Sequence, residues 1–95
     1  MPSERLPKPP EYATLGVALR GLRRTAGLTQ VQAGERADVR SEFVSQVERG
    51  KRGLTWSTLV ALLVAYNADL RDLADEIDLA GGLRTNSKSP RPRGT

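Results

Sequence analysis

Residues 27–51, GLTQVQAGERADVRSEFVSQVERGK, read as two short helices and the turn between them. Thr29 followed three residues later by Gln32 has the spacing of a capping box. The Thr29 hydroxyl can accept from the Gln32 amide while the Gln32 side chain reaches back. A helix therefore starts at Thr29 and ends near Arg36 or Ala37. Asp38 is placed to take positive φ, which Asp and Asn tolerate better than other non-glycine residues. A second helix runs from about Ser41 to Arg49 and stops at Gly50, a left-handed cap. Phe43, Val44 and Val47 form its apolar side. Gly34 supplies a small residue where the second helix crosses the first, and Val39 plugs the turn.

The pattern continues outward in both directions. Upstream, Leu15, Leu19 and Leu22 fall on one helical stripe. Thr14 is the expected N-cap and Gly27 the expected end. Arg20, Arg23 and Arg24 lie off that stripe. Downstream, Thr55 caps a helix whose buried stripe is Leu59, Leu62, Leu63 and Tyr66, with Asn67 as its left-handed end. Asp69 caps a fifth helix with Leu70, Leu73 and Ile77 as its stripe, ended by Gly81-Gly82. Five short helices with tight connections predict an all-α, compact five-helix bundle. The expected organisation is a disordered Pro-rich arm over residues 1–11, a folded domain over 12–83, and a disordered basic tail over 84–95.

Composition narrows the function. The 95 residues fit one domain, with no Cys and no His. Thiolate and imidazole metal ligands are therefore missing, as is the commonest general base. No nucleophile–base pair is visible, so the expectation is not an enzyme, with no cofactor and no metal. No apolar run approaches the roughly 18 residues of a membrane span, and no secretory h-region opens the chain. A cytoplasmic protein without a membrane partner is expected. The net charge of +4 is unevenly spread. Tyr12 to Gly53 holds eight basic and four acidic residues, Leu54 to Leu83 one basic and five acidic, and Arg84 to Thr95 four basic and none acidic. A polarised domain turns its basic half toward a polyanion.

Two short helices, a three-residue turn and a glycine exit are the plan of a DNA-reading helix-turn-helix. The stretch 27–51 resembles the phage-repressor and Cro-type helix-turn-helix family, also called the xenobiotic-response-element family. The resemblance extends to LGVALRGLRRTAGLTQ (15–30) and LTWSTLVALLVAYNADLRDL (54–73). It implies a lambda-repressor-like domain with the helix after the turn in the major groove of double-stranded DNA. Position by position, it implies a backbone-phosphate contact for Gln30, and a DNA-facing surface from Arg40 to Gln46. Lys51 and Arg52, after that helix, should touch phosphate. Arg23 and Glu48 match a partly buried salt bridge that fixes the angle of the reading helix. This chain departs from the family pattern at four positions. Ala33 stands for a usual Leu, Gly34 for Ala, Asp38 for Gly, and Arg40 for a Ser or Thr cap.

Of the residues facing away from the core, Ser41, Glu42 and Gln46 are the base-reading candidates. Gln suits adenine, and Glu can accept from cytosine N4. Glu42 otherwise needs Arg40 or Arg49 as a partner. Ser45 and Arg49 join Gln30, Arg40, Lys51 and Arg52 as backbone candidates. Phe43 has two readings: contact with a thymine methyl, or an inward turn that refills the space left by Ala33. One short helix reads few base pairs, so a homodimer on an inverted repeat is expected, with a repressor as the leading function. Trp56, Leu73, Ile77, Leu79 and Leu83 are the candidates for the dimer contact. A toxin, for which this chain would be the antitoxin, and RNA polymerase are the alternative protein partners. An interaction module that has lost DNA binding is the third reading.

Overall fold

The computed structural model describes residues 11–81, and among these the chain is helical with no strand. The helices are α1 (Tyr12–Thr25), α2 (Gln30–Ala37), α3 (Ser41–Glu48), α4 (Trp56–Ala65) and α5 (Leu70–Leu79). Residues 1–10 of the expected arm, the expected tail and Leu83 lie outside the described residues. No helix among the described residues is long and apolar enough to cross a membrane.

Side-chain caps set three of the starts. Thr29 Oγ1 accepts from the Gln32 N–H at 3.0 Å, and Gln32 Oε1 accepts from the Thr29 N–H at 2.9 Å. Asp69 and Asp72 repeat the arrangement at α5, at 2.8 and 2.9 Å. The backbone N–H of Asp72 holds the Asp69 carboxyl below the usual carboxylate range. Thr55 caps α4 by accepting from the Thr58 N–H at 3.2 Å. Each of these bonds satisfies a donor that the first helical turn would otherwise leave unpaired.

The start of α1 differs from the expectation. It begins at Tyr12, two residues before Thr14, and Glu11 is the N-cap without a side-chain bond. Tertiary packing carries the extra turn. A Cβ on Gly53 would come within 2.6 Å of the Tyr12 ring, and one on Gly50 within 2.8 Å of Ala13 Cα. The first residues of α1 thus rest on the loop that leaves α3.

The core is one cluster in which Leu19, Val44, Val47 and Leu62 are fully buried. Helix α1 packs against α3 and α5, and α2 packs against α3 and α4. Ala33 is also fully buried, so no space for a leucine stands open there. Leu73 and Ile77 are 6% and 7% exposed and belong to this core, but Leu70 is 52% exposed. Leu70 is therefore not part of the buried stripe. It is the first residue of α5, beyond the part of that helix that meets the core.

Two positions make the turn between α2 and α3. Asp38 adopts φ 63°, and the Val39 N–H donates back to the Gly34 carbonyl at 2.9 Å. That bond closes the end of α2 in the manner of a Schellman cap. Gly34 was expected to make room for a crossing helix. In the structure its neighbour is the turn itself, because a Cβ there would lie 2.5 Å from the Val39 carbonyl oxygen. Alanine, the better helix former by about 1 kcal/mol, does not fit without opening the turn. We expect Gly34→Ala to lose about 1–3 kcal/mol of unfolding free energy, the usual range for overpacking. Asp38→Gly should be neutral or gain up to about 1 kcal/mol by relieving the left-handed residue. Urea unfolding curves of the two variants check both signs.

Candidate nucleic-acid interface

The end of α3 is held by a buried carboxylate. The Glu48 side chain is 3% exposed and that of Arg23 is 11% exposed. Arg23 Nε donates to Glu48 Oε2 at 2.7 Å, and Arg23 Nη2 donates to Glu48 Oε1 at 3.0 Å. The remaining arm of the guanidinium, Nη1, donates to the Leu28 carbonyl at 2.8 Å. Gln30 Nε2 adds a further bond to Glu48 Oε1 at 3.0 Å. One carboxylate thereby joins α1, the start of α2 and the end of α3. The hydrogen bond to Glu48 raises the Arg23 pKa above its ordinary value, against the opposing effect of burial.

Nearby charge also acts on Tyr66. Its phenol is pushed up to about 12, first by burial and then by the Glu48 carboxylate. The buried Tyr66 hydroxyl has no hydrogen-bond partner among the described residues.

Close approach of α1 completes the support. A Cβ on Gly16 would lie 2.6 Å from the Glu48 carbonyl oxygen and would also strike Val47 O. The first half of α1 therefore lies directly on the last turn of α3. Gly16 is a positioning residue that the sequence pattern did not single out, since it interrupts a leucine stripe without marking a turn.

Held in this way, α3 turns its polar side outward. Arg40, Glu42 and Arg49 are exposed, and Ser41, Ser45 and Gln46 are half-buried. Lys51 and Arg52 are exposed just beyond it. Val39, Arg40, Glu42, Phe43, Gln46 and Arg52 line one shallow groove. Glu42 forms no ion pair among the described residues, so neither Arg40 nor Arg49 neutralises it.

Phe43 is half-buried and packs against the margin of the core. Its ring also carries the Arg52 guanidinium, 4.5 Å from the centroid. Arg52 Nη1 donates to Gln46 Oε1 at 3.3 Å. Arg52, Phe43 and Gln46 thus form one cluster, which links a residue after the helix to two on it. The spacing of 43, 46 and 52 gives no hint of this, because Gly50 reverses the chain between them.

The dimer candidates divide. Leu73 and Ile77 are buried in the core of the single chain and cannot serve a partner, while Trp56 is 64% and Leu79 80% exposed. Helix α5 spends its apolar side on α1.

Two helices crossing at a tight turn, with the second clamped at its end and its polar face uncovered, define a helix-turn-helix domain. The chain belongs to the helix-turn-helix domain family, whose match spans residues 14–77. It is similar to the restriction-modification controller protein C.AhdI of Aeromonas hydrophila, at 29% identity and a TM-score of 0.62, over 65% of this chain and 94% of that one. It is also similar to the clp gene regulator ClgR of Corynebacterium glutamicum, at 27% identity and a TM-score of 0.72, over 86% of this chain and 87% of that one. The wild-type restriction-modification controller protein C.Esp1396I shares the fold, at 16% identity and a TM-score of 0.67, over 73% of this chain and 91% of that one. No curated protein matches the chain. The fold is that of helix-turn-helix transcription regulators.

Removing one partner of the clamp strands the other. Glu48→Ala should cost about 3 kcal/mol, because Arg23 is left charged and mostly buried. The double variant Arg23→Met/Glu48→Leu should recover more than half of that loss, as measured by denaturant unfolding in a double-mutant cycle. Tyr66→Phe should leave stability unchanged or raise it by about 1 kcal/mol, since it deletes a hydroxyl that is buried without a partner. A loss of stability in the Tyr66 variant would show that the hydroxyl is satisfied in solution.

Proposed function

We propose that this chain is a sequence-specific regulator of transcription, a repressor that binds double-stranded DNA as a homodimer on an inverted repeat. The observation that carries the reading is the uncovered polar face of α3, presented by a helix whose far end is clamped by Glu48. A reading helix must hold its angle to the groove, and the bonds from Arg23 and Gln30 supply that rigidity. Gene regulators among the similar structures support the regulatory role. The target places its action in the cytoplasm, on bacterial or phage DNA.

In this reading Ser41, Glu42 and Gln46 meet base edges in the major groove. Gln46 has its oxygen engaged by Arg52 and both amide hydrogens available for base acceptors. Glu42, having no cation of its own, is suited to a cytosine amine. Arg40, Ser45, Arg49, Lys51 and Arg52 meet the sugar–phosphate backbone. Gln30 gives one amide hydrogen to Glu48 and keeps the other for a phosphate at the start of α2. A bound dimer would repress by excluding polymerase from an overlapping promoter.

Selection of bound duplexes from a random pool tests this directly. The expected product is an inverted repeat with half-site centres about 10 base pairs apart. Gln46→Ala should relax the preference at one position of each half-site, at a cost of about 1–3 kcal/mol on the preferred sequence. Lys51→Ala should weaken binding to all duplexes alike and lower the salt slope by about one. A pool that shows no enrichment after repeated rounds would overturn the proposal.

A further inference from the structure

Gln46 is the base-reading candidate whose side chain is not free to choose its orientation. Its amide oxygen accepts from Arg52 Nη1 at 3.3 Å. A guanidinium has only donors, so only the oxygen of that amide can face it. The Arg52 guanidinium in turn lies over the Phe43 ring, 4.5 Å from the centroid. Phe43 is half-buried and packed against the core. A chain of contacts thus runs from the core through an aromatic face and a cation to one amide. The hydrogen bond is exposed and would be loose on its own; the ring supplies the second restraint. No carboxylate draws Arg52 away among the described residues. Glu42 lines the same groove as Arg52 and Gln46 and forms no ion pair with it.

Taken alone, glutamine suits adenine, because its amide offers an acceptor to the N6 donor and a donor to the N7 acceptor. Beside Arg52 the same amide offers a different set. Its oxygen is engaged by a cation, and the uncommitted groups are the Nε2 donors and the remaining guanidinium N–H groups. An adenine at this place would bring its N6 donor against a guanidinium. Guanine presents two acceptors in the major groove, O6 and N7, and no donor. Building on the DNA-reading role proposed above, we propose that Arg52 and Phe43 are positioning residues that make Gln46 a reader of guanine rather than adenine. Arg52 does this in addition to any phosphate contact. Cation–π attraction grows as water is excluded, so docking in a groove tightens a contact that is exposed in the free chain. Lysine would keep the charge of Arg52 but not the flat fork that stacks on a ring and donates along its edge.

Duplexes selected from a random pool, followed by affinity measurements on defined sites, test the assignment. The position read by Gln46 is the one whose preference Gln46→Ala abolishes. The wild-type chain should favour G·C over A·T there by about tenfold or more. Replacing that guanine with 7-deazaguanine, which lacks the N7 acceptor, should weaken wild-type binding about fivefold and leave Gln46→Ala unaffected. Arg52→Lys should lower the preference for guanine over adenine to about twofold or less, with the salt slope unchanged because the charge is kept. Arg52 is exposed, so this variant should unfold in urea like the wild type. Phe43→Leu should also lose the preference, and Phe43→Tyr, which keeps the ring face, should retain it. Any base other than guanine at the Gln46 position, or a guanine preference that survives Arg52→Lys, would overturn the assignment and leave α3 standing as the reading helix. A selected repeat in which Gln46→Ala changes no position would overturn it in the same way. A pool without enrichment would instead remove the DNA-reading role itself.

Discussion

The placement of α3 depends on one buried carboxylate. At eight residues α3 is too short to be stable alone, and its first turn has no side-chain cap because Arg40 occupies the N-cap. Val44 and Val47 bury one side but leave the helix free to roll or slide by small amounts. The Glu48 bonds remove that freedom. The paired donors of Arg23 approach both carboxylate oxygens, Gln30 shares one of them, and Arg23 is itself anchored on the Leu28 carbonyl. The cost is the desolvation of two charges, which a fully hydrogen-bonded pair offsets and a broken pair does not. Stability alone would be served as well by leucine and methionine; the directional bonds add a defined angle for the helix.

The turn contributes the second constraint, and it comes from sterics. Asp38 in the left-handed region and Gly34 beneath the Val39 carbonyl are two parts of one solution. A glycine at the turn would relax the backbone, but here the turn residue is Asp and the glycine lies four residues earlier. The chain can then fold back on α2 tightly enough for the Val39 amide to close on Gly34. The entrance and exit of α3 are thus set by different physics: backbone contact at one end and a charged hydrogen-bond network at the other.

Most of the fold was legible in the sequence because local signals agreed with one another. The Thr29 capping box, the Asp69 N-cap, the left-handed Asp38 and Asn67, and the stripe through Leu19 and Leu22 are written within a few residues of the features they determine. What was misread depends on partners distant in the chain. The extra turn of α1 forms because Tyr12 and Ala13 meet Gly53 and Gly50. Leu70 looked like a member of the α5 stripe, yet it is 52% exposed at the first position of the helix. Leu73 and Ile77 were expected both in the α5 stripe and as dimer candidates, and the core of the single chain takes them. At the site, the Arg23–Glu48 pair came from a resemblance, whereas the bond of Gln30 to Glu48 and the Arg52-Phe43-Gln46 cluster had no sequence signal at all. Long side chains can meet across a turn in many ways, and spacing does not choose among them.

The charge pattern makes physical sense once α4 is seen as a divider. Before it, the chain is basic around α3; after it, α5 is acidic; between them lie fifteen residues, Leu54 to Ala68, with no charge at all. A basic surface directly beside an acidic one would let α5 compete with DNA phosphate for Arg40, Arg49, Lys51 and Arg52. No such ion pair forms among the described residues, and these four side chains remain exposed. Along the sequence an uncharged helix separates the two charged stretches, and the cations stay available to a polyanion. That separation leaves apolar side chains, Trp56 and Val64 among them, facing water on α4. The charge asymmetry and the exposed apolar side of α4 are therefore consequences of the same division of labour along the sequence.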